Sequence, residues 1–101
     1  LDSTEGATTH IKDNMIYARS DDAITCTSGS AIIENNTIYG GGISPTGISS
    51  SASFGLLTIK NNRFESNLTT ALNLSNPSLT EVWGNNSDKP IEERKFRTYT
   101  R

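Results

Sequence analysis

A repeated asparagine corner constrains this chain more than any other feature. Four segments align on their second Asn: Ile11-Lys12-Asp13-Asn14-Met15-Ile16, Ile33-Glu34-Asn35-Asn36-Thr37-Ile38, Ile59-Lys60-Asn61-Asn62-Arg63-Phe64 and Trp83-Gly84-Asn85-Asn86-Ser87-Asp88. In this alignment Asn14, Asn36, Asn62 and Asn86 fall at intervals of 22, 26 and 24. A second series, Ala23-Ile24, Gly47-Ile48 and Ala71-Leu72, recurs at 24 and 24. Two independent markers with one mean period identify an internal repeat. About 24 residues are too few for two packed helices, and no segment carries a sustained helical stripe. Each repeat offers three short strand-like pieces punctuated by Gly, Asn, Ser and Asp. Three strands of ~4–5 residues plus turns fill the period, and turns stacked ~4.8 Å apart make a parallel β-helix.

The asparagines then have a physical role. A tight corner needs a residue that tolerates the left-handed region, and Asn does so best after Gly. Stacking places Asn over Asn, and an amide carries both donors and an acceptor, so a column of amides can satisfy itself. One Asn of each pair is expected in that column, without indication of which. The fourth copy reads as degraded, with Trp83 in place of Ile and Asp88 in place of the apolar residue.

The spacing and the I-x-N-N-x-I/F corners resemble the right-handed parallel β-helices of the pectin-lyase-like superfamily, and among them bacteriophage tailspikes. The resemblance covers roughly residues 9–88. It implies an all-β, single-stranded solenoid of roughly four coils. Residues 1–88 form the coils, and 89–101 form a charged tail capping the last coil as a short helix or closing strand. It also implies polysaccharide as partner and a homotrimer, on a virion tail or outside the cell.

Composition bounds the function. The chain has 101 residues and begins at Leu1, so it is read as a fragment or processed product. Asn, Ser and Thr total 36 residues, a polarity that would suggest disorder were the repeat absent. One Cys and one His argue against a disulfide framework and a metal site, and no cofactor is expected. No stretch is long and apolar enough for membrane insertion, and none of these residues reads as a signal peptide. Residues 1–88 carry four basic and nine acidic side chains, and residues 89–101 carry five and two. A body at −5 disfavours nucleic acid.

Alternation assigns faces. On the strand before the corner (B), Ile11, Ile33 and Ile59 point inward. Lys12, Glu34 and Lys60 point outward as a charge column that favours the register by ~0.2–1 kcal/mol per pair. On the strand after it (C), Ile16, Ile38 and Phe64 point inward, and Tyr17, Tyr39 and Glu65 outward. On the third strand (A), Ile24, Cys26, Ile48, Ser50, Leu72 and Leu74 point inward. Its outward set is Ala23, Thr25, Thr27, Gly47, Ser49, Ser51, Ala71, Asn73 and Ser75, with no charge among them. Cys26 is expected to be a small buried hydrophobe.

Tyr17, Tyr39 and Glu65 are the candidate carbohydrate-binding residues, because aromatic faces stack on sugar rings. A glycosidase needs two carboxyls ~5–9.5 Å apart. The candidate acids are Asp21, Asp22 and Glu65, with Glu34 a further option, yet no pair emerges and the catalytic residues stay unassigned. Asp21 and Asp22 also read as turn formers. The run Gly40-Gly41-Gly42-Ile43-Ser44-Pro45-Thr46 lacks the Lys-Ser/Thr ending of a phosphate loop and reads as a lengthened turn. Sequons at Asn35, Asn67, Asn73 and Asn85 are read as chance in so Asn-rich a chain. Three functions remain in view: a sugar-contact scaffold, a polysaccharide lyase or hydrolase, and a structural shaft of a tail fibre or adhesin. In the first and third this segment has no activity of its own.

Overall fold

In a computed structural model of the chain, residues 2–3, 8–19, 21–26, 29–41, 45–50, 54–65, 67–74, 80–87 and 91 are described. These contain twelve strands and no helix: β1 (Asp2–Ser3), β2 (Thr8–Lys12), β3 (Met15–Ala18), β4 (Asp22–Cys26), β5 (Gly29–Glu34), β6 (Thr37–Gly40), β7 (Thr46–Ser50), β8 (Phe54–Lys60), β9 (Arg63–Phe64), β10 (Thr70–Leu74), β11 (Thr80–Trp83) and β12 (Asn86–Ser87). Every third strand joins the same sheet. Sheet A is β1-β4-β7-β10, sheet B is β2-β5-β8-β11, and sheet C is β3-β6-β9-β12. All nine pairings are parallel. The chain is thus all-β with parallel sheets, consistent with a β-solenoid.

Like side chains stack as alternation demands. Ile11, Ile33, Ile59 and Val82 are in register on sheet B. Ile16, Ile38 and Phe64 are in register on sheet C, and Ile24, Ile48 and Leu72 on sheet A. Most are fully buried and belong to one core cluster, which Cys26 also joins. Burial of an Ile or Phe side chain stabilises by ~1.5–3 kcal/mol, so these columns supply the main driving force.

The corner between sheets B and C divides its labour. The first residue of each pair takes the left-handed conformation: Asp13 (φ 61°), Asn35 (φ 57°), Asn61 (φ 58°) and Gly84 (φ 71°). The second forms the amide column. Asn36 Oδ1 accepts from Asn14 N (3.0 Å) and Asn14 Nδ2 (3.2 Å), and Asn62 Oδ1 accepts from Asn36 N (2.9 Å) and Nδ2 (3.0 Å). Asn85 Oδ1 accepts from Asn62 N (2.8 Å) and Nδ2 (3.1 Å). The other amide protons reach backward to carbonyls: Asn36 to Ile11, Asn62 to Ile33 and Asn85 to Ile59.

The fourth copy therefore departs from the expectation. Asn85, not Asn86, occupies the column, because Gly84 supplies the positive φ one position earlier. Asn86 already lies in β12, paired with Arg63. Val82, not Trp83, is the core residue, and Trp83 is in register with Lys60. The corner continues here in a shifted frame, but the position after it that Ile16, Ile38 and Phe64 fill in the other copies is Ser87, so the copy is still degraded there.

Sheet A also departs in part. Ala23, Gly47 and Ala71 were expected outside, yet they are buried alongside Ile24 and Ile48. A Cβ on Gly47 would lie 2.5 Å from Ala71 O and 2.9 Å from Phe64 Cδ1. In β4 and β7 two adjacent residues are buried, so strict alternation does not hold there. Thr25, Ser49 and Asn73 stand in register on the outer side. Thr27, Ser51 and Ser75, residues 42–44 of the glycine run, Asp88, and residues 89–90 and 92–101 of the tail lie outside the described residues. Ile91 of the tail packs against the core.

Candidate functional site

The outer face of sheet C carries the candidate residues Tyr17, Tyr39 and Glu65. Strand β3 alternates exposed Met15 and Tyr17 with less exposed Ile16 and Ala18, and β6 alternates Thr37 and Tyr39 with buried Ile38 and Gly40. Parallel register sets Met15, Thr37 and Arg63 in one column and Tyr17 beside Tyr39 in the next. The tyrosine ring centroids are 5.2 Å apart and tilted by 50°, within the range of favourable aromatic pairing. Met15 is 76% and Tyr17 53% exposed, which leaves apolar surface facing water. The Tyr17 hydroxyl lies where a side chain on Gly41 would stand, so that glycine makes room for the ring.

Beyond β9, Glu65 extends the tyrosine column: its N–H donates to Ile38 O (2.9 Å). Its carboxylate accepts from Arg63 Nε at 2.7 Å. Leu68, fully buried, pins the turn that follows, and Leu68 N–H donates to Glu65 O (3.1 Å). That turn delivers Asn67, whose Oδ1 accepts from Gly40 N (3.2 Å) and whose Nδ2 donates to Gly40 O. Met15, Thr37, Tyr39, Glu65 and Asn67 together line an open groove of about 460 Å³.

Of the sequence candidates, Tyr39 and Glu65 line this groove and Tyr17 flanks it through its ring contact. Met15 and Thr37 were missed although alternation places them on the same face as the tyrosines. Asn67 sits in a turn, and no strand pattern pointed to it.

Asp21 and Asp22 are engaged elsewhere. Asp21 Oδ1 accepts from Asp22 N (2.9 Å). Asp22 Oδ2 accepts from Ser49 Oγ (2.7 Å) and Thr25 Oγ1 (3.4 Å), which ties β4 to β7. Both act as turn and cross-rung acceptors, and Glu65 is the one carboxylate lining the groove among the described residues. Those residues hold no cluster of three metal-ligating side chains. None of them forms a helix long and apolar enough to cross a membrane.

Sheet B presents a separate charged stripe. Lys12, Glu34 and Lys60 stand in register, with Trp83 next to Lys60. Lys60 Nζ is 4.0 Å from Glu34 Oε2 and 5.4 Å from the Trp83 ring centroid. The closest partner of Glu34 is diagonal: His10 Nε2 donates to Oε1 at 2.7 Å. That hydrogen bond holds the Glu34 carboxyl below its ordinary 4.5. Desolvation opposes it, and the charges of Lys60, His10 and Lys12 add to the lowering. A lowered folded-state value stabilises the protein above the unfolded value, and the contribution is lost as pH falls through the folded one. Thermal midpoints of the wild type should therefore drop faster below pH 4.5 than those of Glu34→Gln. Parallel profiles would remove Glu34 from the acid response.

The chain matches no protein-family model, no curated protein and no solved structure.

Proposed function

We propose that this chain is a section of a right-handed parallel β-helix that binds cell-surface polysaccharide through the outer face of sheet C, as scaffold and sugar contact. The parent is a tailspike-like or secreted protein, and the assembly is a homotrimer. One observation carries the reading: a tyrosine pair stacked at rung spacing beside an open groove that ends in a carboxylate and an amide. Exposed aromatic surface supplies the stacking platform for a sugar ring. Glu65, Asn67 and Thr37 supply acceptors and donors for its hydroxyls. A single carboxylate in the groove fits binding better than hydrolysis, which needs two.

The test is a glycan array followed by titration calorimetry with Tyr17→Ala/Tyr39→Ala. Loss of about 1–2 kcal/mol, roughly tenfold in affinity, is expected from removing the ring contacts, with unfolding midpoints near wild type because these side chains face outward. Unchanged affinity would exclude this face. Absence of any glycan binding would leave the shaft function, and light scattering of the free chain reports the trimer separately.

A further inference from the structure

The groove holds one carboxylate among the described residues that line it. Among the described residues its lining side chains are Met15, Thr37, Tyr39, Glu65 and Asn67, and Glu65 is the one carboxylate of that set. Arg63 does not line the groove; its Nε is spent on Glu65 Oε2 at 2.7 Å, which holds the carboxylate in place. Among the described residues Glu65 Oε1 has no partner. A carboxylate accepts and never donates, so the ligand must bring donors to this oxygen. The donors that a carboxylated sugar would need are few. Asn67 is held at both ends of its amide by Gly40, which leaves it one Nδ2 proton, and the other side-chain donors of the described lining are the Thr37 and Tyr39 hydroxyls. An acidic sugar would thus set its own anion against Glu65, whose charge the exposed pair with Arg63 offsets only in part, and mismatched charge is an effective means of exclusion. The surrounding body repeats the bias, since residues 1–88 carry four basic and nine acidic side chains.

We infer that the groove takes neutral and amino sugars and excludes acidic ones, with Glu65 as the residue that sets this selectivity. A free sugar ammonium ranks first because its hydrogen bond to a carboxylate is charge-assisted. The inference rests on the polysaccharide-binding reading of the groove and adds the chemical class of the ligand.

The experiment compares three oligosaccharides of equal length by titration calorimetry in mildly acidic buffer at low salt: glucosamine, N-acetylglucosamine and galacturonate oligomers. The wild type is expected to bind the glucosamine oligomer at least about tenfold more tightly than the galacturonate oligomer, the size of one charge-assisted hydrogen bond. In Glu65→Gln, which is nearly isosteric, this ratio should fall to about twofold, with glucosamine affinity reduced far more than N-acetylglucosamine affinity. Tyr17→Ala/Tyr39→Ala should weaken glucosamine and N-acetylglucosamine oligomers alike. A wild-type preference for galacturonate, or a ratio that Glu65→Gln leaves unchanged, overturns the selectivity while leaving sugar binding standing. A ratio that persists in both variants marks non-specific attraction to an acidic body and also overturns it. Failure of all three ligands to bind overturns the binding reading itself. Circular dichroism and thermal unfolding of each variant establish that it is folded.

Discussion

Asn62→Ala is expected to cost about 3–5 kcal/mol of unfolding free energy, whereas Asn14→Ala costs less than about 1. Asn62 is 1% exposed and sits in the middle of the amide column. Its Oδ1 accepts two protons from Asn36, and its Nδ2 donates to Ile33 O and Asn85 Oδ1. Alanine leaves the buried Asn36 N–H and one of its two amide protons without an acceptor, the other still reaching Ile11 O, and deprives the Ile33 carbonyl of a donor. Each buried group left unsatisfied costs ~1–3 kcal/mol. Asn14, at the exposed end of the column, can turn to water instead. Domains have ~5–15 kcal/mol in total, so Asn62→Ala removes much of the stability at one stroke. Urea unfolding of the two variants measures the difference. Equal, small losses would show that the column follows from the fold without stabilising it.

Phe64→Ala should be of similar size, about 3–5 kcal/mol, through a different mechanism. The ring is 2% exposed and completes the Ile16–Ile38–Phe64 column on sheet C. It also fills space that Gly47 leaves open: a Cβ there would lie 2.9 and 3.0 Å from two of its ring carbons. Truncation therefore opens a void between sheets C and A that the surrounding backbone cannot close. Phe64→Leu, which refills most of the volume, is expected to recover the larger part of the loss. Both are read by the urea midpoint at unchanged slope. A Phe64→Ala loss near 1 kcal/mol would mean that the sheets relax into the void.

The balance between sequence and structure can be judged at single residues. Ile11, Ile33 and Ile59 announced a buried column, and Tyr17 and Tyr39 an outward one, because period-2 alternation is a property of each strand alone. Turn chemistry was equally local: residues able to adopt positive φ marked every B–C corner, Gly84 included. The sequence thus determined the period, the strands and the two faces of sheets B and C. The remainder depends on neighbours 22–29 residues away in the chain, which local rules do not reach. Only the cross-rung hydrogen bonds decide that the second residue of each pair forms the column, and that Asn85 rather than Asn86 closes it. Only packing against the core, with Gly47 close to Ala71 O and the Phe64 ring, buries Ala23, Gly47 and Ala71. Diagonal proximity across rungs sets His10 on Glu34 although its register partner is Ile32. The groove, finally, exists because a turn anchored by Leu68 brings Asn67 back to Gly40, a contact between residues 27 apart. Strand pattern is written in adjacent residues; which turn meets which, and at what offset, is settled by packing and hydrogen bonding between turns.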